Sequence, residues 1–367
     1  MKKICSTLLP LISILLFIQI TAQGDIVLTA DGGFLFAGSV NEGSSGSDIR
    51  LIKYDKEKSI KWQVSYGTDN CEKLGGPGDN IAVTENGGFI VAAESSPSKS
   101  SGSPGPSGTI LVKLDSNGKI IWAKEFSKKG QAFSVSSIKE TRDGGFIAAG
   151  RIRPITSSKA EQGVDIDAWA MKLDASGSVQ WIYKYGGGLI DVAMSIITPR
   201  EGGFLFVGET TGPKGKIGGG ELWTVRLSKE GRIKWQKSYG EPFQARPGYF
   251  GVEWGYCVLQ RRNGDYLVVG TTRSFGTGGG AREDIWVLCL GNNGSIKWQK
   301  AYGGDCLDTT PVLARAKESN YLVGSNTNSF ALRKMPEISD VNCGERKIHN
   351  VWIYKIDENG NIVWQKA

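Results

Sequence analysis

The carboxylates in this sequence are the side chains whose spacing could do chemistry. An acidic residue recurs just before the third strand expected in several repeated segments, and this first set comprises Asp48, Asp167, Glu221 and Asp284. If these residues met near one axis, their oxygens could hold a divalent cation. Alternatively, each carboxylate accepts hydrogen bonds from loop amides where a strand begins. We expect the structural role.

A second set of acids stands eleven residues before a turn, and it comprises Asp191, Glu253 and Asp308. The same two interpretations apply, and the structural one is again expected. No bound cofactor is predicted, and a divalent cation is the alternative. No catalytic residue is predicted either, because the chain has a single histidine, His349. Zinc-protease motifs and His-rich metal sites need more imidazole than that.

Residues 241–256, EPFQARPGYFGVEWGY, form the most unusual stretch. The candidate ligand-binding residues in it are Phe243, Arg246, Tyr249, Phe250 and Trp254. Aromatic side chains beside an arginine are typical of surfaces that recognise proteins or sugars. The alternative is a loop that folds back to cover its own apolar groups. We expect this segment and the loop 328–350 to form the ligand-binding face.

Residues 1–23 predict a secretory signal peptide, because two lysines precede an apolar stretch that ends near the small residue Ala22. An uncleaved anchor is the alternative, but the apolar stretch is shorter than the ~20 residues of a spanning helix. We expect a secreted, periplasmic or cell-surface protein with no transmembrane segment after signal removal. The net charge of +7 is spread along the chain. No basic stripe therefore predicts a nucleic-acid partner.

Six copies of one unit must position these side chains, at about 24–67, 68–127, 128–187, 188–240, 241–304 and 305–367, in a single domain over 24–367. A phrase such as DGGFIAAG (143–150) opens most copies, and a phrase such as KLDASGSVQWIYKYG (172–186) closes them. Tryptophans mark the period at intervals of 54 to 66 residues: Trp62, Trp122, Trp181, Trp235, Trp298 and Trp364.

Each copy is predicted to form two hairpins. Alternation of apolar and polar residues, as in Ile233-Lys234-Trp235-Gln236, indicates strands with one buried face. Gly144-Gly145 and similar pairs supply the positive φ of tight turns. Such units could form a linear stack, but the terminal copies lack the polar caps of one. An all-β, six-bladed β-propeller with four antiparallel strands per blade is predicted, in which the tryptophans dock blades against small residues.

These phrases resemble the β-propeller repeats of secreted bacterial proteins, with D-G-G-F in the first hairpin and K-L-D-x-x-G-x-x-x-W-x-x-x-Y-G in the second. The resemblance covers nearly all of 25–367. The second hairpin is also distantly similar to the tryptophan-docking phrase of quinoprotein propellers, which usually have Thr where this chain has Asn117 or Ser176. The similarity implies a shared way of docking blades and says nothing of quinone binding.

By the same resemblance, the four strands a to d of a blade run outward from the axis. The d–a connections and the b–c loops then share one face, and we expect function there. Cys306 and Cys343 fall in such loops, so a disulfide between them is predicted. Cys257 and Cys289 fall in strands a and c of one blade and are expected to be buried thiols.

The sequence therefore favours an exported, non-catalytic binding or scaffold propeller that recognises a protein or a glycan at the cell surface. The alternative is a propeller enzyme, namely a hydrolase, a lyase or a quinoprotein-like protein, that uses axial carboxylates and a metal ion. The identity of the ligand and the oligomeric state stay open.

Overall fold

The computed structural model describes residues 24–41, 47–68, 70–75, 78–97, 107–155, 165–212, 220–240, 252–275, 283–304, 306–329 and 350–367. These residues form six antiparallel sheets, each built from strands that are consecutive in the chain. The fold is an all-β, six-bladed β-propeller with four antiparallel strands per blade, which confirms the predicted fold class. None of the described residues forms a helix that could cross a membrane.

The first three blades contain thirteen strand segments, because the first strand of blade 2 is interrupted between two halves, both of which pair with the second strand. Their bounds are β1 Gly24–Leu28, β2 Phe34–Asn41, β3 Ser47–Tyr54, β4 Ile60–Tyr66, β5 Cys71–Leu74, β6 Ile81–Val83, β7 Phe89–Ser96, β8 Gly108–Leu114, β9 Ile120–Phe126, β10 Gln131–Glu140, β11 Phe146–Pro154, β12 Asp167–Leu173 and β13 Val179–Tyr185.

Blades 4 to 6 follow the regular four-strand plan. Their bounds are β14 Asp191–Ile197, β15 Phe204–Thr210, β16 Glu221–Leu227, β17 Ile233–Tyr239, β18 Glu253–Gln260, β19 Tyr266–Thr272, β20 Asp284–Leu290, β21 Ile296–Tyr302, β22 Asp308–Arg315, β23 Tyr321–Thr327, β24 Asn350–Ile356 and β25 Ile362–Lys366.

The chain divides into two compact units. Unit 1 comprises residues 1–164 and 170–182, and unit 2 comprises residues 165–169 and 183–367. In unit 1, apolar side chains such as Leu51 of blade 1 and Val91 of blade 2 share one buried cluster. In unit 2, Val287 of blade 5 and Val323 of blade 6 do the same. Within each unit, facing sheets thus bury their apolar faces against each other.

Four of the period-marking tryptophans contact a turn of the next blade. Trp62 Nε1 donates to the carbonyl of Ser116 at 3.1 Å, and a Cβ built on Gly118 would lie 2.7 Å from the indole. The same arrangement pairs Trp122 with Gly177, Trp235 with Gly294 and Trp298 with Gly360. The turn glycine has a positive φ, 83° at Gly118. Glycine is therefore needed both for this backbone conformation and for the close approach of the indole.

This contact differs from the one we expected, in which strand-end glycines receive the indole. The strand-end glycine of blade 4, Gly208, instead faces the first strand of its own blade, where a Cβ would collide with the carbonyl of Val192. The register shifts there between Ala193 and Ser195. Because a bulge brings the two backbones close together, only glycine fits at this position.

A tyrosine that follows the docking tryptophan makes a second contact with the next blade. The hydroxyl of Tyr239 donates to the carbonyl of Gly294 at 2.6 Å, and that of Tyr302 donates to the carbonyl of Gly360 at 2.5 Å. The Tyr-Gly ending of the repeat phrase therefore has a docking function that the sequence analysis did not assign.

The most buried tryptophans belong to a different series, on the third strands. These residues are Trp169, Trp223, Trp286 and Trp352, and they are at most 4% exposed. Each stands two residues after the start of its strand, whereas the docking residue Trp364 is 40% exposed. Since burial of a tryptophan removes about 150–250 Å² from water, the third-strand series contributes more to the core.

The lysine of the K-L-D phrase is buried. Lys172 is 4% exposed, and its Nζ donates to the carbonyl of Leu173 at 2.8 Å and lies 2.9 Å from the Asp143 carboxylate of the first hairpin turn. Lys53 repeats this arrangement with Asp31 in blade 1. The charge therefore ties the two hairpins of a blade together, and the alkyl chain packs in the core.

Candidate functional site

The first strands of blades 4, 5 and 6 each begin with a carboxylate, and these residues lead to the candidate site. Asp191, Glu253 and Asp308 are at most 1% exposed. Each is opposite a threonine at the end of the second strand, and the pairs are Asp191–Thr210, Glu253–Thr272 and Asp308–Thr327. The carboxylates therefore lie where the d–a connections and the b–c loops meet the sheets.

Asp191 is fully occupied by its own blade. One carboxylate oxygen accepts a hydrogen bond from Thr210 Oγ1 at 2.6 Å, and the other accepts from the amides of Gly187 at 2.9 Å and Gly188 at 3.0 Å. Asp308 accepts at one oxygen from the Gly304 amide at 3.1 Å and from Ser329 Oγ at 2.8 Å, and its buried Oδ1 has no hydrogen-bond partner among the described residues. The contacts of Asp191 are the structural role expected for the second acidic set.

Glu253 is only partly occupied. Its Oε1 accepts hydrogen bonds from Thr272 Oγ1 and from the Ser274 amide, both at 3.2 Å. Its Oε2 is buried and has no hydrogen-bond partner among the described residues. Burial raises the pKa of Glu253. Because buried polar atoms nearly always have partners, this oxygen marks a place where a further donor fits.

Glu209, near the end of β15, is 8% exposed. Burial raises the pKa of its carboxyl to about 7, and the nearby charge of Asp191 raises it further in the same direction. At neutral pH a large fraction of the molecules therefore carries a proton on Glu209, which makes this side chain a hydrogen-bond donor as well as an acceptor.

Trp254 and Tyr256, at the start of β18, supply an aromatic surface. Their rings stack with centroids 6.0 Å apart and planes 26° apart. Trp254 is half-buried, and its buried Nε1 has no acceptor among the described residues. Burial raises the pKa of Tyr256, and the charges of Glu283 and Glu209 raise it further, so both acids lie near its hydroxyl.

We name Glu209, Trp254 and Tyr256 the acidic–aromatic cluster, and Glu253, the residue before Trp254 in β18, points to the other face of the sheet. The cluster lies wholly within unit 2, beside the apolar side chains of Val192 and Met194. It combines a carboxyl whose pKa is about 7, an indole N–H and two stacked rings. Such a set can bind a polar, non-ionic molecule with one apolar surface.

The four acids of the predicted metal set stand in four different sheets. Asp167 forms an ion pair with Lys184 at 2.8 Å, and Asp284 is 1% exposed beside Gly303. Asp48 and Glu221 lie in the same way beside the glycines that end the fourth strands of their blades, Gly67 and Gly240. Within the described residues, no three His, Cys, Asp or Glu side chains are grouped so that they could hold a metal ion.

Of the predicted ligand-binding residues, only Trp254 is described, and it lies in β18 rather than in a loop. The others, Phe243, Arg246, Tyr249 and Phe250, lie outside the described residues. The sequence analysis did not select Glu209, because no repeat spacing marks it. The structural signal is its position in β15, one residue before the threonine that binds Asp191.

The cysteines follow the predicted pattern where they are described. Cys306 is disulfide-bonded, whereas Cys71, Cys257 and Cys289 carry thiols. Cys289 is fully buried, and Cys257 is only half-buried, so the expectation of two buried thiols is right for one of them. Cys343 lies outside the described residues, and its pairing with Cys306 stays a prediction.

Unit 1 carries its own acidic group at the start of a first strand. Asp25 of β1 accepts a hydrogen bond from the Asn80 amide at 2.8 Å. Burial raises the pKa of Asp25 to about 7, and the charge of Asp79 contributes to the rise. Lys139 lies 2.8 Å from Asp79. No aromatic pair accompanies these residues within the described part of unit 1, so unit 2 holds the stronger candidate site.

Comparison with known proteins shows the fold alone. No protein-family model matches the chain, and no curated protein matches it. An α-L-arabinofuranosidase from Fusarium graminearum, solved with an iminosugar inhibitor, is similar in structure with a TM-score of 0.52 and 9% identity, over 92% of each chain. A glycoside hydrolase family 93 α-L-arabinofuranosidase of Fusarium graminearum, solved with arabinobiose, gives 0.50 and 10% over 83% of this chain and 88% of that one. A protein of unknown function from Dyadobacter fermentans gives 0.48 and 11% over 84% and 90%.

Proposed function

We propose that this protein is an exported, non-catalytic binding propeller that recognises a glycan through the acidic–aromatic cluster of unit 2. The observation that carries the proposal is the buried Trp254 Nε1, which has no partner among the described residues and lies beside the stacked ring of Tyr256, with the charge of Glu209 near the Tyr256 hydroxyl. A buried indole N–H of this kind is best explained by a ligand that supplies an acceptor.

A sugar matches this chemistry. Its hydroxyl groups can donate to a carboxylate and accept from an indole N–H, and its C–H face can pack on an aromatic ring. Glu209 adds a carboxyl that both donates and accepts at neutral pH, because its pKa is raised to about 7. A protein ligand is the other partner predicted from the sequence, and the experiment below separates the two.

Binding is favoured over hydrolysis because the second carboxylate is occupied. Glycosidases of most families need two carboxyl groups at the scissile bond. Asp191 is the acid whose charge, in addition to burial, raises the pKa of Glu209. It is fully buried and accepts three hydrogen bonds from its own blade. Both of its oxygens are therefore engaged within the blade.

Catalysis is a second candidate function because the pKa of Glu209, about 7, suits a general acid. Release of nitrophenol from aryl glycosides by the wild type, lost in the Glu209→Gln variant, would establish it. The absence of turnover in both proteins, together with glycan binding, supports the binding role.

The test is a glycan array followed by isothermal titration with the best oligosaccharide. Trp254→Ala is expected to weaken binding at least about tenfold, since one lost aromatic contact is worth about 1–2 kcal/mol. The matched control is Tyr183→Ala on the fourth strand β13, where the tyrosine is 49% exposed and far along the chain from the cluster. Unchanged affinity in Trp254→Ala, or binding of proteins but no glycan, would refute the glycan site.

Export is proposed from residues 1–23 alone. The expected result is that the N-terminus of the protein recovered from the cell envelope or medium starts near residue 24. Recovery of the intact N-terminus from the cytoplasmic fraction would contradict export and would leave the glycan test unaffected.

A further inference from the structure

The other end of the first strands in unit 2 carries arginines. Arg200 lies in the turn after β14, Arg262 in the turn after β18, and Arg315 ends β22. All three side chains are exposed. These positions are distinct from the acidic–aromatic cluster, because they lie at the opposite ends of the strands that begin with Asp191 and Glu253.

Hydrogen bonds hold the turn of blade 4 against the end of β18. Gln260 Oε1 accepts from the Arg200 amide at 2.8 Å, and Gln260 Nε2 donates to Glu201 Oε2 at 2.7 Å. The guanidinium of Arg200 donates to the carbonyl of Arg261. These contacts of Gln260 and Arg261, which directly precede Arg262, hold Arg200 and Arg262 side by side.

A second set of contacts joins the end of β18 to blade 6. The buried Arg261 donates from Nε to the Tyr321 hydroxyl at 3.2 Å and from Nη2 to the Glu358 carbonyl at 2.9 Å. Tyr321 is paired in register with Arg315. Arg262 and Arg315 are thus neighbours too, and the three guanidinium groups come together at one end of three adjacent strands.

The nearby carboxylates do not neutralise this cluster. Glu201 binds Gln260 and the Tyr266 hydroxyl and lies 3.6 Å from Arg226, and Asp265 lies 2.7 Å from Lys297. Neither Arg262 nor Arg315 has an ion pair with any described residue. The exposed neighbours Lys317 and Glu318 balance each other in charge.

Electrostatics agree with this arrangement. The pKa of Arg315 is lowered, first because the surrounding protein removes part of its solvent and then because Arg200 and Arg262 add positive charge. Like charges that converge on rigid backbone, without a carboxylate between them, bind an anion favourably. Guanidinium groups are suited to tetrahedral oxyanions because each can donate two parallel hydrogen bonds.

We propose that Arg200, Arg262 and Arg315 form a binding site for a phosphate or sulfate group, either as the free ion or carried on a larger molecule. This site is independent of the proposed glycan function, because it uses different residues at the other end of the strands.

The test is isothermal titration of the full chain with inorganic phosphate and with inorganic sulfate at constant ionic strength. Arg262→Gln and Arg315→Gln are each expected to weaken binding about tenfold, and the double variant is expected to abolish it. The matched control is Arg232→Gln, which removes one exposed charge from the c–d turn of blade 4 and is expected to change affinity less than twofold. Circular dichroism of each variant shows that the fold is retained.

A second titration compares a sulfated oligosaccharide with its desulfated form. Tighter binding of the sulfated chain than of inorganic sulfate, lost in the double variant, indicates that the group is carried on a glycan. Equal affinity indicates the free ion as the occupant. Absence of binding by both inorganic ions and by the sulfated chain, or an equal loss of affinity in Arg232→Gln, overturns the site.

Discussion

The two ends of the first strands in unit 2 differ in charge and in burial. At the beginning of β14, β18 and β22 stand carboxylates that are at most 1% exposed, and beyond the end of the same strands stand exposed arginines. Most of the carboxylate oxygens accept hydrogen bonds from loop groups, as in Asp191. The guanidinium groups of Arg262 and Arg315 have no such partners among the described residues.

This difference separates stability from recognition. A buried charge must be compensated within the protein, so the carboxylates stabilise the loops around them. An exposed charge needs no partner and stays available to a ligand. The acidic–aromatic cluster lies at the buried end and has an uncompensated indole Nε1 at Trp254 beside the stacked ring of Tyr256, which is why we place the glycan site there.

The largest effect is expected from Asp191→Ala. This substitution leaves the amides of Gly187 and Gly188 and the Thr210 hydroxyl without their acceptor, at about 1–3 kcal/mol for each group that stays buried. Because Gly187 is exposed and only Gly188 and Thr210 are buried, we expect a loss of about 2–6 kcal/mol in the free energy of unfolding, measured by urea denaturation. Asp191→Asn, which retains one acceptor oxygen, should lose less. A loss below about 1 kcal/mol in Asp191→Ala would show that the carboxylates at the start of the first strands do not stabilise the fold.

Glu209 should make stability depend on pH. Its pKa is raised from 4.5 to about 7 in the folded protein, so the folded state binds the proton more tightly than the unfolded chain. The resulting stability is fully present below pH 4.5 and is lost as the pH rises through 7, by about 3 kcal/mol. Glu209→Gln does not titrate and should lack this loss.

The measurement is the difference between the unfolding free energies of the wild type and Glu209→Gln at pH 4 and at pH 8.5. The comparison with the variant is necessary because Asp25 of unit 1 has a pKa raised to the same value, about 7, and contributes to the wild-type curve. Parallel curves for the two proteins would show that Glu209 is ionised at neutral pH, and its role as a donor to the glycan would fail.

The turns at the arginine end can be compared within one blade of unit 1. Gly87 in the first hairpin turn and Gly118 in the second both have a positive φ, 79° and 83°. A Cβ at Gly87 would meet nothing within 4 Å, whereas one at Gly118 would lie 2.7 Å from Trp62. Gly87→Ala is expected to cost about 1–2 kcal/mol for the backbone alone. Gly118→Ala should cost about 1–3 kcal/mol more, because the indole must move.

Thermal and urea unfolding of both variants check this difference. Equal losses would show that the tryptophan contact contributes little to blade docking.

The repeat pattern predicted the fold class because local rules agree in every copy. Alternation around Trp235 and the turn glycines fixes the strands, and six similar copies of four strands fix the blade count. The spacing before the turn also predicted a structural position for Asp191, which accepts hydrogen bonds at both oxygens. These features depend on short-range geometry that a single repeat already contains.

Contacts between blades were less predictable. The receiving glycine of Trp62 lies 56 residues later, at Gly118, and the alternation of one strand does not indicate which turn it meets. The arginines were missed for another reason. Arg200 and Arg262 stand two residues before the turn glycines of their blades, but nothing in the sequence indicates that they meet each other. Only the pairing of β22 brings Arg315 beside them.

The smallest effect on stability is expected from Arg262→Gln. The side chain is exposed and has no partner among the described residues, so the free energy of unfolding should change by less than about 0.5 kcal/mol. Removal of one of three mutually repelling charges could even stabilise the fold slightly at low salt, and that gain should vanish as salt screens the repulsion. Urea denaturation at low and high sodium chloride measures both quantities. A loss above about 1 kcal/mol would show that Arg262 stabilises the turn. In that case this arginine, like the buried carboxylates at the other end of the strands, would have a structural role.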